Sequence, residues 1–424
     1  MQLFLKNKLL ASIVIVGLLI YCAIEAKGNG DFFIYMSAGG DLNNGFDIYT
    51  KKYLIDYHYY YSVLFALFLK PFYGLPFYGV KFFWLILNTA LFIHLVYLLT
   101  ESTLYNQLQT KTKKIFLLLV LLASFRFFHE NIHASQITIL ILWCCIYSLV
   151  LIFKNKPFLG SLILTAGISI KLMPIVFLPY LFYRGFFKAF LLTVLFFGVT
   201  FILPSLFIGH AYNVELIQSW LKLINPRDEL HVVDVYERSF HSIGTLLSTL
   251  CMKEVPDYYA LPLRRHLFDV SYETLEKIIL VARLCLVAFT LYFLKWWTLK
   301  NSIHKLQTPR LSHLIEISYI LLIVPLIFPH QQHYAFLFMM PAFTCVIYQL
   351  LLNWAILPKL KKIALTVMLI LIYLCGNLKI LLGEFNRYYE HYKILTYGAL
   401  LLIPLLVWAS KTTGKNNSET KEHL

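Results

Sequence analysis

The sequence predicts an all-α polytopic membrane protein, and three observations carry that prediction. Charged residues make up only 14% of the 424-residue chain, against 59% hydrophobic and 17% aromatic, where a soluble domain averages about 25% charged. Apolar runs recur along the whole length, many close to the roughly 20 residues that a helix needs to cross a bilayer. Basic residues gather in alternate short loops, the distribution that keeps such loops in the cytoplasm.

In order, the apolar runs fall near 9–26, 80–100, 115–128, 137–153, 158–171, 172–183, 189–208, 276–294, 313–328, 334–352, 363–382 and 395–409. That is about twelve spans in a single integral membrane domain, 1–424. The first run follows Lys6 and Lys8 as a secretory signal would, but Ala23-Ile24-Glu25-Ala26 makes a poor cleavage site. An uncleaved first span is expected. Lys111 to Lys114, Lys154, Lys156, Arg184, Lys188, the stretch 295–310, Lys359 to Lys362 and the tail 410–424 share one side with Lys6 and Lys8. Both termini are therefore expected in the cytoplasm of a multi-pass plasma (inner) membrane protein. The net charge of +15 reads as a topology signal and not as a nucleic-acid footprint. Seven cysteines sit mainly inside apolar runs and suggest neither a disulfide framework nor a metal site.

Nearly all acids lie on the opposite, extracytoplasmic side. Two long loops are expected there, 27–79 and 209–275, with short ones at 129–133, 330–333 and 384–387. Polar chemistry on one side, held by apolar helices, points to a reaction or binding site at the outer leaflet. In the first loop, Asp31 follows the membrane exit and precedes Phe32-Phe33-Ile34-Tyr35, which should press it back onto the membrane. Partial burial there can raise a carboxylate's pKa toward that of a general base. The ordinary reading of Asp31, Asp41 and Asp47 is a solvated loop acid or helix cap, and it fits Asp41 and Asp47 best. Tyr57-His58-Tyr59-Tyr60-Tyr61-Ser62 reads as an interfacial aromatic belt, or as a wall along which a lipid tail or sugar ring lies.

Lys171, in "ISIKLMPIV", is a cation beside a helix-breaking proline. It either snorkels to the interface or meets an anionic headgroup. Arg238 and His241, in "YERSFHS", are candidates for the same phosphate. The spacing of His330 and His333 permits metal binding, but no second cluster of acids and histidines stands at ligand spacing. Hydrogen bonds to phosphate or sugar are the expectation, and no metal or other cofactor is expected. Neither a phosphate-binding glycine loop nor a Gly-x-Ser-x-Gly elbow is present. Any energy source must then reside in the substrate or in an ion gradient.

Together these segments resemble glycosyltransferase family 87, polytopic enzymes of the GT-C fold that include polyprenyl-phosphate-mannose-dependent mannosyltransferases. The matching stretches are "GDFFIYMSAGGDLNNGFDIY", "YHYYYSVLFALFLKPFYGLP", "NIHASQITILIL", "GSLILTAGISIKLMPIVFLPYLFYR", "ERSFHSIG" and "PHQQHYAFLFMMPA". Their order, spacing and common sidedness carry the resemblance. It departs at Tyr60-Tyr61-Ser62, where the family usually has prolines, and at Ser135, where it has glycine. Thr138 stands where asparagine is usual, and Arg238 where an amide is common.

The resemblance implies a GT-C fold with outer-side loop and juxtamembrane helices, and an inverting hexosyltransferase using a polyprenyl-phosphate sugar, mannose in the best-known members. Asp31 would be the catalytic base. Lys171, Arg238, His333 and His330 would bind the donor phosphate. Gln136, His133, Tyr35, Tyr59, Glu237 and Ser239 would contact sugar or acceptor, itself a glycolipid or glycan. A lipid-linked sugar transporter or flippase and an oligosaccharide polymerase or ligase are the alternatives. No internal symmetry of the transporter kind is visible.

Overall fold

The computed structural model describes residues 8–54, 56–103, 107–225, 228–236, 239–255, 257, 260–294 and 310–422. Among them there is no strand, only an isolated antiparallel bridge between Tyr53 and Tyr57. Every apolar run expected from the sequence falls on a helix. Among the described residues, six helices are long and apolar enough to cross a membrane: Phe77–Ser102, Thr110–His133, Phe187–Ile208, His333–Leu352, Lys359–Leu378 and Ile394–Thr412. The chain is an all-helical membrane protein. Several other apolar helices are shorter. Pro157–Ile170 has 14 residues, which reach about 21 Å against a hydrocarbon core of about 30 Å. Leu206, Phe207, Leu360 and many other large apolar side chains are exposed, a pattern costly in water and ordinary in lipid.

The chain forms two compact units. One comprises Met1–Leu98 with Phe128–Asn225, the other Leu99–Phe127 with Pro226–Leu424. In the first unit, Pro157–Ile170 packs between Thr138–Phe153 and Phe187–Ile202. Small residues permit that closeness. A Cβ on Gly160 would stand 2.6 Å from Ile152, and one on Gly167 would stand 2.9 Å from Cys144. Ser161 Oγ donates to the Ala189 carbonyl at 2.9 Å.

The 27–79 segment of this unit is itself structured, with helices Phe32–Asn43 and Val63–Leu69 packed together. Asp41 is not a solvated loop acid. It is buried, and both its oxygens accept from Lys51 Nζ at 2.8 Å while Oδ2 also accepts from the Tyr53 hydroxyl. Asp47 forms an Asx turn to the Tyr49 amide and accepts from Ser219 Oγ at 2.7 Å. Both acids therefore pin the loop.

In the second unit, the 3-10 turn His333–Met339 and helix Met340–Leu352 are buried almost throughout, against Arg310–Ile327 and the last helix, Ile394–Glu422. The 209–275 segment contributes Glu229–Val233 and Ile243–Cys251. Val232, Val233, Val235 and Cys251 pack on Leu275 and Ile279 of the following helix.

Candidate active site

In the first unit, Gly30 lies hard against the turn after Thr110–His133. A Cβ there would stand 2.8 Å from the Ala134 carbonyl oxygen. That closeness lets the Asp31 amide donate to Ala134 O at 2.9 Å. The turn is held by Gln136 N donating to Asn131 O at 2.8 Å and by Trp84 Nε1 donating to Ser135 O at 3.3 Å. Ser135 takes φ +55°, a left-handed conformation that glycine adopts without penalty. Serine here carries a strain that glycine would not.

The turn delivers Gln136 to Asp31. Gln136 Nε2 donates to Asp31 Oδ2, and Gln136 Oε1 accepts from the Tyr35 hydroxyl at 3.2 Å. The Tyr35 and Tyr61 hydroxyls are 2.9 Å apart. Asp31 occupies the N-cap position of Phe32–Asn43, yet its carboxylate makes no capping bond, so the helix-cap reading does not apply. Burial pushes its pKa up to about 6, partly opposed by the Gln136 hydrogen bond and the Lys171 charge.

Lys171 reaches this cluster because its helix stops there. Pro174 has no N–H to give the Ile170 carbonyl, and Lys171 turns extended at φ −143°, ψ 131°. Its Nζ lies 5.9 Å from the Tyr61 ring centroid, within cation–π range. Tyr59, fully buried, donates to Ser62 O at 2.9 Å and packs its ring 5.5 Å from Tyr61. Of the Tyr57–Ser62 run, Tyr59 and Tyr61 are buried and Tyr57 is exposed, so this segment is a packed aromatic wall more than a surface belt. His133 stands apart from the cluster, its largely exposed ring paired with Glu25 Oε2 at 2.9 Å.

In the second unit, His330 (φ +57°) gives its amide to Asp234 Oδ1 at 2.8 Å. Asp234 also accepts from Ser242 and Thr245, and burial raises its pKa to about 6. This saturated carboxylate ties His330 to the Ser242 turn. His333 Nε2 lies 3.7 Å from Glu390 Oε1, and His241 Nε2 is 3.0 Å from Glu390 Oε2. Ser239 is half-buried; Glu237 and Arg238 lie outside the described residues.

The sequence singles out Asp31, Gln136, Lys171, Tyr35 and Tyr59 as candidates but not their mutual contacts. It passes over Tyr61 as an individual, Trp84, Asp234 and Glu390. None of these has a local signal. Only the tertiary fold brings Trp84 to Ser135 or Glu390 to His241.

A comparison with curated proteins finds no match. The model of glycosyltransferase family 87 matches residues 59–325. Tyr59, Gln136 and Lys171 fall inside that match, Asp31 and Tyr35 precede it, and His333 follows it. With well over half of its length matched, and with the all-helical membrane architecture described above, the chain belongs to glycosyltransferase family 87.

Proposed function

We propose that this glycosyltransferase moves a sugar, mannose in the first instance, from a polyprenyl-phosphate donor to a glycolipid or glycan acceptor, with inversion, on the extracytoplasmic side of the membrane. The observation that carries the proposal is the Asp31 carboxylate held by Gln136, with Lys171 acting on it electrostatically. A proton acceptor and a cation against one aromatic wall suit a reaction that removes a proton from one partner and leaves negative charge on the other.

Asp31 takes the proton of the acceptor hydroxyl as that oxygen attacks the anomeric carbon. The new C–O bond forms opposite the breaking bond to phosphate, and polyprenyl phosphate leaves with the electron pair. Lys171 compensates the charge that grows on the phosphate, a contribution of about two to three orders of magnitude in rate for one well-placed donor. Gln136 fixes the carboxylate, and the Tyr35–Tyr59–Tyr61 wall lies along donor or acceptor. Membership of a transferase family sets the transporter alternative aside. The donor's phosphoester bond is the energy source, consistent with the lack of a nucleotide-binding loop. The about twelve spans, with both termini in the cytoplasm, belong to this proposal too.

Purified protein in detergent, given polyprenyl-phosphate-linked mannose, glucose, galactose and arabinose in turn with a membrane glycolipid extract, tests the donor. Transfer from a lipid-phosphate sugar, with the opposite anomeric configuration in the product, is expected. Transfer from a nucleotide sugar in the absence of lipid donor would overturn the reading.

A further inference from the structure

The three buried side chains His241, His333 and Glu390 come from distant parts of the second unit. Each offers one ligating atom, and these atoms lie within 4.8 Å of one another. The closest approaches to the carboxylate are 3.0 Å from His241 Nε2 and 3.7 Å from His333 Nε2. Ligands about 2.0–2.1 Å from one tetrahedral ion stand about 3.4 Å apart, so the two histidine–carboxylate separations bracket that of atoms sharing a metal. We propose that His241, His333 and Glu390 bind one divalent transition-metal ion of the zinc class, leaving a coordination position open to water or an anionic oxygen.

The chemistry of the set fits that ion. Two imidazoles and one carboxylate suit zinc and its neighbours better than magnesium or calcium, which prefer all-oxygen shells. Three protein ligands with a vacant fourth position is the pattern of reactive zinc sites, whereas structural sites are closed by four.

The surroundings hold the ligands in place, as metal sites require. The His241 amide donates to Gln331 O at 2.9 Å, and the His241 carbonyl accepts from Thr396 Oγ1 at 2.7 Å. His241 is thereby fastened to the segment that carries His333 and to the start of the last helix. Tyr389 stacks on His333 with centroids 5.7 Å apart, and the Phe336 ring lies nearly perpendicular to that of His241 with centroids 6.3 Å apart. This shell limits rotation of both rings. Glu390 lies in the last turn of the helix Asn386–His391, and its backbone carbonyl accepts from the Lys393 amide.

The test uses the full chain purified in detergent without chelator and with a histidine-free tag. Elemental analysis is expected to find one zinc, or a neighbouring metal, per chain. After stripping, added cobalt(II) is expected to give the visible absorption of a four-coordinate nitrogen–oxygen site. Glu390→Gln and His333→Gln are each expected to weaken zinc binding by at least tenfold. Background metal content in the wild type, together with no cobalt absorption after reconstitution, overturns the proposal and leaves the trio as a hydrogen-bonded His–Glu–His network. The wild-type readouts decide the matter even if both variants fail to fold.

Discussion

Protonating Asp31 should silence transfer well above the pH at which an ordinary aspartate titrates. With its pKa raised from 3.8 to about 6, the carboxylate is about 90% ionised at pH 7 and about 10% at pH 5. The rate of single-turnover transfer should therefore fall about tenfold between those values and a further tenfold by pH 4. An aspartate at 3.8 would lose under a tenth of its ionised form over the same pH 7 to 5 interval. Two substitutions should move this acidic limb in a stated direction. Gln136→Leu removes a hydrogen bond to the charged form and Lys171→Met removes a favourable charge, so each should shift the limb to higher pH. Lys171→Met should also lower the plateau by about 10²–10³-fold. The assay follows radiolabelled sugar passing into acceptor under saturating donor, from pH 4 to 8. A limb below pH 4.5, or one that neither variant moves, would refute the assignment of Asp31 as the titrating base.

The same shift has a consequence for stability. A carboxylate whose folded pKa exceeds its unfolded value stabilises the fold below the unfolded pKa, and that contribution is lost as pH rises through about 6. At pH 7 the half-buried charge costs about 3 kcal/mol at most. Asp31→Asn should then melt several degrees above wild type at pH 7 and close to it at pH 4, in a thiol-dye assay reporting the buried Cys144, Cys145 and Cys345. Ser135→Gly should raise stability by roughly 0.5–1 kcal/mol by relieving a left-handed serine, with transfer retained; a destabilised variant would show that the strain is compensated. Gly30→Ala puts a methyl against the Ala134 carbonyl and should cut transfer at least tenfold at a stability cost of about 1–3 kcal/mol. Asp234→Ala leaves the His330 amide and two hydroxyls without their acceptor, and should lower stability by about 3 kcal/mol or more, measured as loss of monodisperse protein.

The fold was legible because apolar runs of these lengths have no option in lipid but helix. The number of crossings was less so. Pro157–Ile170 and Met173–Tyr183 carry no charge, and composition does not distinguish a short helix packed among partners from a full span. At the site, Asp31 and Lys171 stood out because a charge beside an apolar run is expensive, and Pro174 marked where the helix must open. The contact between Asp31 and Gln136 was not legible. It depends on Gly30 closing onto Ala134 and on a left-handed Ser135, both set by tertiary contact. Asp41 misled for the complementary reason. An acid in a Gly-Asn-rich turn looks solvated until Lys51 and Tyr53 are seen folded over it.

The most direct test of the account compares wild type and Asp31→Asn at pH 7 in proteoliposomes containing polyprenyl-phosphate-mannose and glycolipid acceptor. The account predicts sugar transfer by wild type, and a loss of about 10²–10⁴-fold in a variant that melts no lower than wild type. Equal transfer by the two proteins would contradict it and remove Asp31 from the chemistry.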